Sequence, residues 1–308
     1  MKTAFLYAGQ GSQKVGMGRD LYENFEFVRE FYDRYEDIRD LSFSAEDDVL
    51  SKTRNTQPCM LAFDIVMTEL LRKEGLTADM TAGLSIGEYG ALYCAKVLSA
   101  QDLIHIGRVR GRAMEDALLG RDTVMCATVG VDEAFLDEIC KDYRAQGRRV
   151  EIANYNCPGQ IVIGGEREAV QEIAAKIKAE RRGKAILLRV SGAFHTSYMK
   201  TAGEVLEKEF GTVDFHEPEI PVVWNLTGRE KTEGEDMKAL LVQQVQKPVH
   251  FTSTIEYMRS RGVDTFVEIG FGKVLEGFIK KIDKDCKVIS CNSAESFEEA
   301  KKYLKEER

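Results

Sequence analysis

The chain has 308 residues, of which 44% are hydrophobic and 31% charged, with a formal net charge of −8. That length suits one large domain, or a large domain carrying a smaller one, and the balance excludes a disordered or low-complexity chain. The negative charge argues against non-specific nucleic-acid binding, and no apolar stretch approaches the ~20 residues that span a bilayer, so a soluble, cytoplasmic protein without nucleic-acid or membrane partners is expected.

Residues 2–8 read as a first β-strand rather than a signal peptide. Their short apolar run leads into the turn Gly9-Gln10-Gly11-Ser12 and not into a small-residue cleavage site. Leu61, Ile65, Leu70 and Leu71 fall at helical spacing and predict a helix over Gln57–Glu74. Thr81-Ala82-Gly83 leads into Ser85, and 86–96 reads as the next helix. Ser99 is the expected N-cap of a helix over Ala100–Leu119.

Residues 123–190 form a distinct block. It comprises a strand at Thr123–Val129, a helix at Asp132–Tyr143, strands at Val150–Tyr155 and Gln160–Ile163, a helix at Glu168–Glu180 and a strand at Ala185–Val190. Asn156-Cys157-Pro158-Gly159 is the turn between the middle strands. The order βαββαβ is the ferredoxin-like pattern. The expected fold is therefore α/β, with 1–122 and 191–308 as the main domain and 123–190 as an inserted ferredoxin-like subdomain.

Beyond the block, helices are predicted over Thr196–Phe210, Glu235–Gln246, Thr252–Arg261 and Lys273–Lys281, with strands at Pro221–Trp224 and Thr265–Glu268. Cys286 and Cys291 flank a further apolar strand pattern, and Ser296–Glu306 reads as a charged surface helix. The seven cysteines are odd in number and contain no CxxC, which favours reduced, mostly buried thiols over disulfides or a zinc site. No metal and no cofactor is expected.

Gly83-Leu84-Ser85-Ile86-Gly87 fits a nucleophile elbow, in which a strand turns sharply into a helix with serine at the apex. A serine hydroxyl needs a base. Of the four histidines, His105 lies inside a helical pattern and His216 beside Glu217-Pro218 in an exposed loop. His195, after a strand and before a helix, is the candidate base, and His250 is held in reserve. The N–H groups of Ile86 and of the Gly9-Gln10-Gly11 turn are candidate oxyanion donors. Arg110 sits in a predicted helix, where basic residues are usually solvated; aimed into a cleft, it would hold a carboxylate by a bidentate pair.

Several separated motifs then coincide: Gly9-Gln-Gly-Ser-Gln13, Thr56-Gln57-Pro58, Gly83-Leu-Ser-Ile-Gly-Glu-Tyr89, Arg110-Gly111, Asn154-Tyr-Asn-Cys-Pro-Gly-Gln160, Ala193-Phe-His195, Asn225-Leu-Thr-Gly228 and Gly270-Phe-Gly-Lys-Val274. Together they resemble the malonyl-CoA:acyl-carrier-protein transacylases of fatty-acid synthesis and, more broadly, polyketide synthase acyltransferase domains. The resemblance implies a hydrolase-like α/β domain with an inserted ferredoxin-like subdomain. It implies a ping-pong reaction in which Ser85 takes the malonyl group from malonyl-CoA and passes it to the phosphopantetheine thiol of holo acyl carrier protein. His195 would be the base, Gln10 and Ile86 the oxyanion hole, and Arg110, Phe194 and Gln57 substrate contacts. In place of a triad carboxylate, a backbone carbonyl near Pro248-Val249-His250 would orient His195.

The chain departs from the family pattern at Leu84, where many members have His, at His250, where many have Gln, and at Phe271, where Pro is common. Arg181, Arg182, Lys184, Lys273, Lys280 and Lys281 form a candidate docking patch for an acidic carrier. A trans-acting polyketide acyltransferase and an acyl-CoA thioesterase are the alternative readings of the same motifs.

Overall fold

Five consecutive buried residues, Thr3–Tyr7, form β1 in the interior of a parallel sheet in the computed structural model, which describes residues 1–307. Four short helices follow: α1 (Arg19–Asn24), α2 (Glu26–Arg34), α3 (Glu36–Ser44) and α4 (Asp47–Leu50). The long α5 (Thr53–Lys73), β2 (Met80–Gly83), α6 (Gly87–Cys94) and α7 (Ala100–Asp116) complete the first segment. Ser99 caps α7 by accepting the Asp102 N–H at 3.1 Å.

The middle block runs β3 (Thr123–Val129), α8 (Glu133–Ala145), β4 (Val150–Cys157), β5 (Gln160–Glu166), α9 (Arg167–Ala179) and β6 (Lys184–Leu187). The last segment holds α10 (Lys200–Phe210), α11 (Met237–Gln244), β7 (Val249–His250), α12 (Phe251–Ser260), β8 (Thr265–Ile269), α13 (Val274–Ile282), β9 (Lys287–Cys291) and α14 (Ala294–Glu306).

Two sheets result among the described residues. The first has the order β2-β1-β8-β9, all parallel. Strands β1, β2 and β8 are buried along their whole length, as parallel strands covered on both faces must be. The second has the order β6-β3-β5-β4-β7, antiparallel except for the short parallel pairing of β7 with β4. Its strands alternate. Val124, Cys126, Ile161 and Ile163 pack with Leu136, Ile139, Val170 and Ile173 of α8 and α9. Met125, Ala127 and Val162 face the other way and join the core of the main body.

Two predicted elements differ. Pro221–Trp224 contributes only isolated pairings, Val222 parallel with Thr81 and Trp224 antiparallel with Arg229, and no ladder. The helix expected from Thr196 opens with a 3-10 turn at Ser197–Met199 before α10 begins. No described helix is long and apolar enough to cross a membrane.

Candidate active site

Strand β2 ends at Gly83 and α6 begins at Gly87, so Ser85 occupies the apex of their connection, at φ 57. The glycines are required by contact. A Cβ on Gly83 would lie 2.0 Å from the Gly87 carbonyl carbon and oxygen, and one on Gly87 would lie 2.2 Å from the Tyr7 carbonyl oxygen. The turn is pressed against β1 with no room for side chains.

The Ser85 hydroxyl lies 2.6 Å from Nε2 of His195. His195 is buried in the loop between β6 and α10, also at φ 57. Its Nδ1 lies 2.8 Å from the carbonyl oxygen of Gln244. A carbonyl can only accept, so Nδ1 carries the proton and Nε2 turns its lone pair toward Ser85. Burial, and then the charge of Arg110, lower the His195 pKa to about 4, against the raising effect of backbone carbonyls at Gln244 and Lys247. At neutral pH the imidazole is therefore an unprotonated base.

The orienting carbonyl is that of Gln244, four residues before the Pro248-Val249-His250 segment near which it was expected. Gln244 ends α11, where carbonyls lack intrahelical partners and are open to other donors. His250 instead donates its N–H to the Asn225 carbonyl at 2.8 Å and stacks on Tyr155 with ring centres 5.1 Å apart. His105 is paired with Glu209, and His216 is exposed.

Arg110 is completely buried on α7. Its Nη2 lies 3.4 Å from the Ser85 hydroxyl oxygen and 3.1 Å from Gln244 Oε1, and its guanidinium carbon is 5.3 Å from the centre of the Tyr89 ring. Nε and Nη1 have no acceptor among the described residues. Burial pushes the Glu88 carboxyl, one of the groups acting on Arg110, up to about 8, so it is mostly protonated at neutral pH. A buried cation with open donors beside a serine hydroxyl is a receptor for a carboxylate.

Ser85 and His195 border a cavity of about 230 Å³ between the end of the parallel sheet and the antiparallel sheet, and Arg110 is not part of its wall. Gln10, Ser85, His195 and Phe194 line it from the main body, and Met125 and Asn156 from the middle block. The N–H groups of Gln10 and Ile86 donate to no acceptor among the described residues. Gln57 is not in the cavity wall: its Nε2 lies 3.3 Å from Met114 Sδ and 3.5 Å from Gln10 Oε1, so it backs the Gln10 side chain. A larger groove of about 620 Å³ along α7 and α10 contains none of the predicted site residues.

Two residues at the centre of the site were not singled out from sequence. Gln244 joins Ser85, Arg110 and His195 through three hydrogen bonds, and Asn225 bonds the Ser85 N–H. Asn225 stands in the Asn225-Leu-Thr-Gly228 motif, which is a signal; Gln244 stands among neighbouring glutamines and carries none.

Residues 4–301 match the family model described as acyl transferase domain. The chain is 38% identical over 312 residues to the malonyl CoA-acyl carrier protein transacylase of Bacillus subtilis (strain 168), covering 99% of this chain and 98% of that one. The crystal structure of malonyl CoA-acyl carrier protein transacylase from Clostridium perfringens superposes with a TM-score of 0.94 at 37% identity, over 100% of this chain and 98% of that one. A malonyl-transacylase solved in complex with its type II PKS acyl-carrier protein superposes with a TM-score of 0.93 at 33% identity, over 98% and 100%.

Proposed function

Because the chain belongs to the acyl transferase family, and within it to the malonyl-CoA:acyl-carrier-protein transacylases, we propose that it moves malonyl groups from malonyl-CoA to holo acyl carrier protein through a malonyl-Ser85 ester, supplying extender units for fatty-acid biosynthesis. The observation that carries this reading is the buried Arg110 guanidinium 3.4 Å from the Ser85 hydroxyl.

Ser85 Oγ attacks the thioester carbonyl carbon while its proton passes to Nε2 of His195. The Nδ1–H bond to the Gln244 carbonyl holds the ring and disperses the new positive charge, so no carboxylate is needed. The tetrahedral oxyanion lies against the N–H groups of Gln10 and Ile86. The intermediate collapses, the C–S bond breaks, and the coenzyme A thiolate takes the proton from His195. In the second half the carrier thiol gives its proton to His195 and attacks the ester, and Ser85 recovers its hydrogen as the new thioester forms. Arg110 binds the malonyl carboxylate throughout, and Phe194 limits space at the acyl group, which disfavours a branched malonyl by roughly 1 kcal/mol per methyl.

The middle block is read as an inserted ferredoxin-like subdomain. Numbering its own strands one to four, the sheet order is four-one-three-two, which supports that reading. Lys184 precedes Leu188, and Lys273 precedes Val274; both apolar residues line the cavity, which supports a basic carrier-docking rim around its mouth. A polyketide carrier remains the second reading, favoured by the superposition on a malonyl-transacylase bound to its type II PKS acyl-carrier protein.

Incubation with malonyl-CoA followed by mass spectrometry tests the proposal. A malonyl adduct on Ser85 that discharges to carrier protein faster than to water is expected, with no adduct and no transfer by Ser85→Ala. Rapid hydrolysis independent of carrier would make the protein a thioesterase.

A further inference from the structure

Asn225 takes no part in the steps above, yet its side chain spans the nucleophile turn. Oδ1 accepts the Ser85 N–H at 2.7 Å, and Nδ2 donates to the Gly83 carbonyl at 2.6 Å. The opposite orientation of the amide would set N–H against N–H and oxygen against oxygen, so the contacts themselves fix it. The Asn225 backbone is held in turn: its N–H donates to Glu88 Oε1 at 2.6 Å, and its carbonyl accepts the His250 N–H at 2.8 Å. Asn225 is fully buried, so water does not compete for these bonds.

Ser85 adopts φ 57, a conformation that strains a non-glycine residue and persists only where the surroundings over-determine it. The other peptide groups of the turn are tied as well. Leu84 N–H donates to the Tyr7 carbonyl at 2.9 Å, Gly87 N–H to the Leu84 carbonyl at 3.0 Å, and Gln244 Nε2 to the Ser85 carbonyl at 2.8 Å. The Ile86 N–H has no partner among the described residues.

We propose, on the reading that Ser85 is the nucleophile, that Asn225 is a positioning residue whose carboxamide locks the turn so that the hydroxyl meets His195 and the Ile86 N–H is left for the oxyanion. The role demands one donor and one acceptor side by side on a short stem. Asparagine supplies both; an ionised aspartate supplies only acceptors, and alanine neither.

The test measures the burst of coenzyme A released on mixing malonyl-CoA with wild type, Asn225→Asp, Asn225→Ala and Ser85→Ala. In Asn225→Asp the carboxylate still accepts the Ser85 N–H but repels the Gly83 carbonyl, and protonation restores the missing donor. The titratable groups at the turn are Glu88 on α6 and His250 in β7, both bonded to the Asn225 backbone, and Arg110 on α7 and His195, which meet the Ser85 hydroxyl, and the wild-type profile carries their contribution. Acylation by Asn225→Asp is expected about 100-fold below wild type at pH 8, a loss like that of one oxyanion donor, with the variant-to-wild-type ratio recovering about tenfold by pH 6. Asn225→Ala loses about as much at every pH, and KM for malonyl-CoA stays within about threefold. A flat ratio in Asn225→Asp, or near wild-type acylation by either variant, overturns the proposal. Should the variants not fold, amide exchange in the wild type decides: the Ser85 N–H must be protected and the Ile86 N–H not, and equally fast exchange overturns the proposal. Transfer by Ser85→Ala would instead sink the nucleophile assignment, a separate failure.

Discussion

Arg110 brings a positive charge into the core, no carboxylate forms an ion pair with it among the described residues, and burial pushes the neighbouring Glu88 carboxyl up to about 8. Leaving a buried charge unpaired is costly, and in the proposed role of Arg110 the carboxylate of the acyl group would relieve that cost. In the proposed role, the residue would couple acyl selection to the serine hydroxyl 3.4 Å away. Arg110→Ala is expected to lower kcat/KM for malonyl-CoA by about 100-fold or more, while acetyl-CoA is used as well as before or better, because the mutation removes a bond that only the dicarboxylic substrate makes. Steady-state kinetics with both thioesters check this; equal losses would make Arg110 structural. Ser85 and His195 can be picked out as candidates from residue type and local motif. Arg110 stands out only through the family resemblance, because helical periodicity alone points a basic residue toward water. Gln244 is illegible for a different reason, and Asn225 is marked only by its motif and not by its role: they act through a main-chain carbonyl and through bonds to backbone groups some 140 to 160 positions away, and no local pattern encodes such a contact.

The elbow ranks among the most sterically constrained elements of the chain, and its glycines show why the motif is readable. Gly87→Ala places a methyl 2.2 Å from the Tyr7 carbonyl oxygen in β1, so strand and helix must part. It is expected to destabilise the protein by about 3 kcal/mol, and acylation by the remaining folded enzyme falls as well. Gly277, inside α13 with nothing within 4 Å of an added methyl, is the control. Gly277→Ala is expected to stabilise by about 0.5–1 kcal/mol through helix propensity, and urea midpoints for the two variants measure the contrast. Other elements are legible in proportion to their burial. Strands β1, β3, β5 and β8 are apolar runs and are found where expected. Helices α1 to α4 are short and charged, each burying three residues or fewer, so their periodicity has little room to appear. Pro221–Trp224 has a strand's composition but fails to extend, because Trp224 turns its N–H to the Arg229 carbonyl and its own carbonyl to the Gly228 N–H.

Across the whole molecule, the cavity forms where two sheets of different character meet, and the chain must return from the middle block to close it. The βαββαβ order of that block is legible because each strand and helix is a short periodic run bounded by turn residues, although only β4 and β5 are neighbours both in sequence and in the sheet. The parallel pairing of Asn154 and Tyr155 with Val249 and His250 is not, since it joins segments nearly a hundred residues apart through a two-residue strand. Closing the molecule this way buries ionisable groups, and they set its response to pH. Burial holds Glu88 protonated up to about 8 and raises Asp64 well above its ordinary value. Above the ordinary carboxyl pKa the folded state keeps protons that the unfolded chain has released, so stability falls as pH rises through this window. His195, lowered to about 4, and His250, also lowered, act in the opposite sense: below about 6.5 the unfolded chain binds protons that the folded state refuses, and stability is lost on acidification. Above about pH 6.5 the histidines of the unfolded chain become neutral too, and the carboxyl effect is the one left. From there to pH 8, Glu88 alone is expected to remove about 2 kcal/mol, at about 1.4 kcal/mol per unit for one retained proton. Urea denaturation at half-unit steps measures this slope. Glu88→Gln, which cannot ionise, should flatten much of the slope, and Asp64→Asn should remove most of what remains; a wild-type profile already flat from pH 6.5 to 8 would mean that both carboxyls are charged in the folded core and that Arg110 has a permanent partner after all.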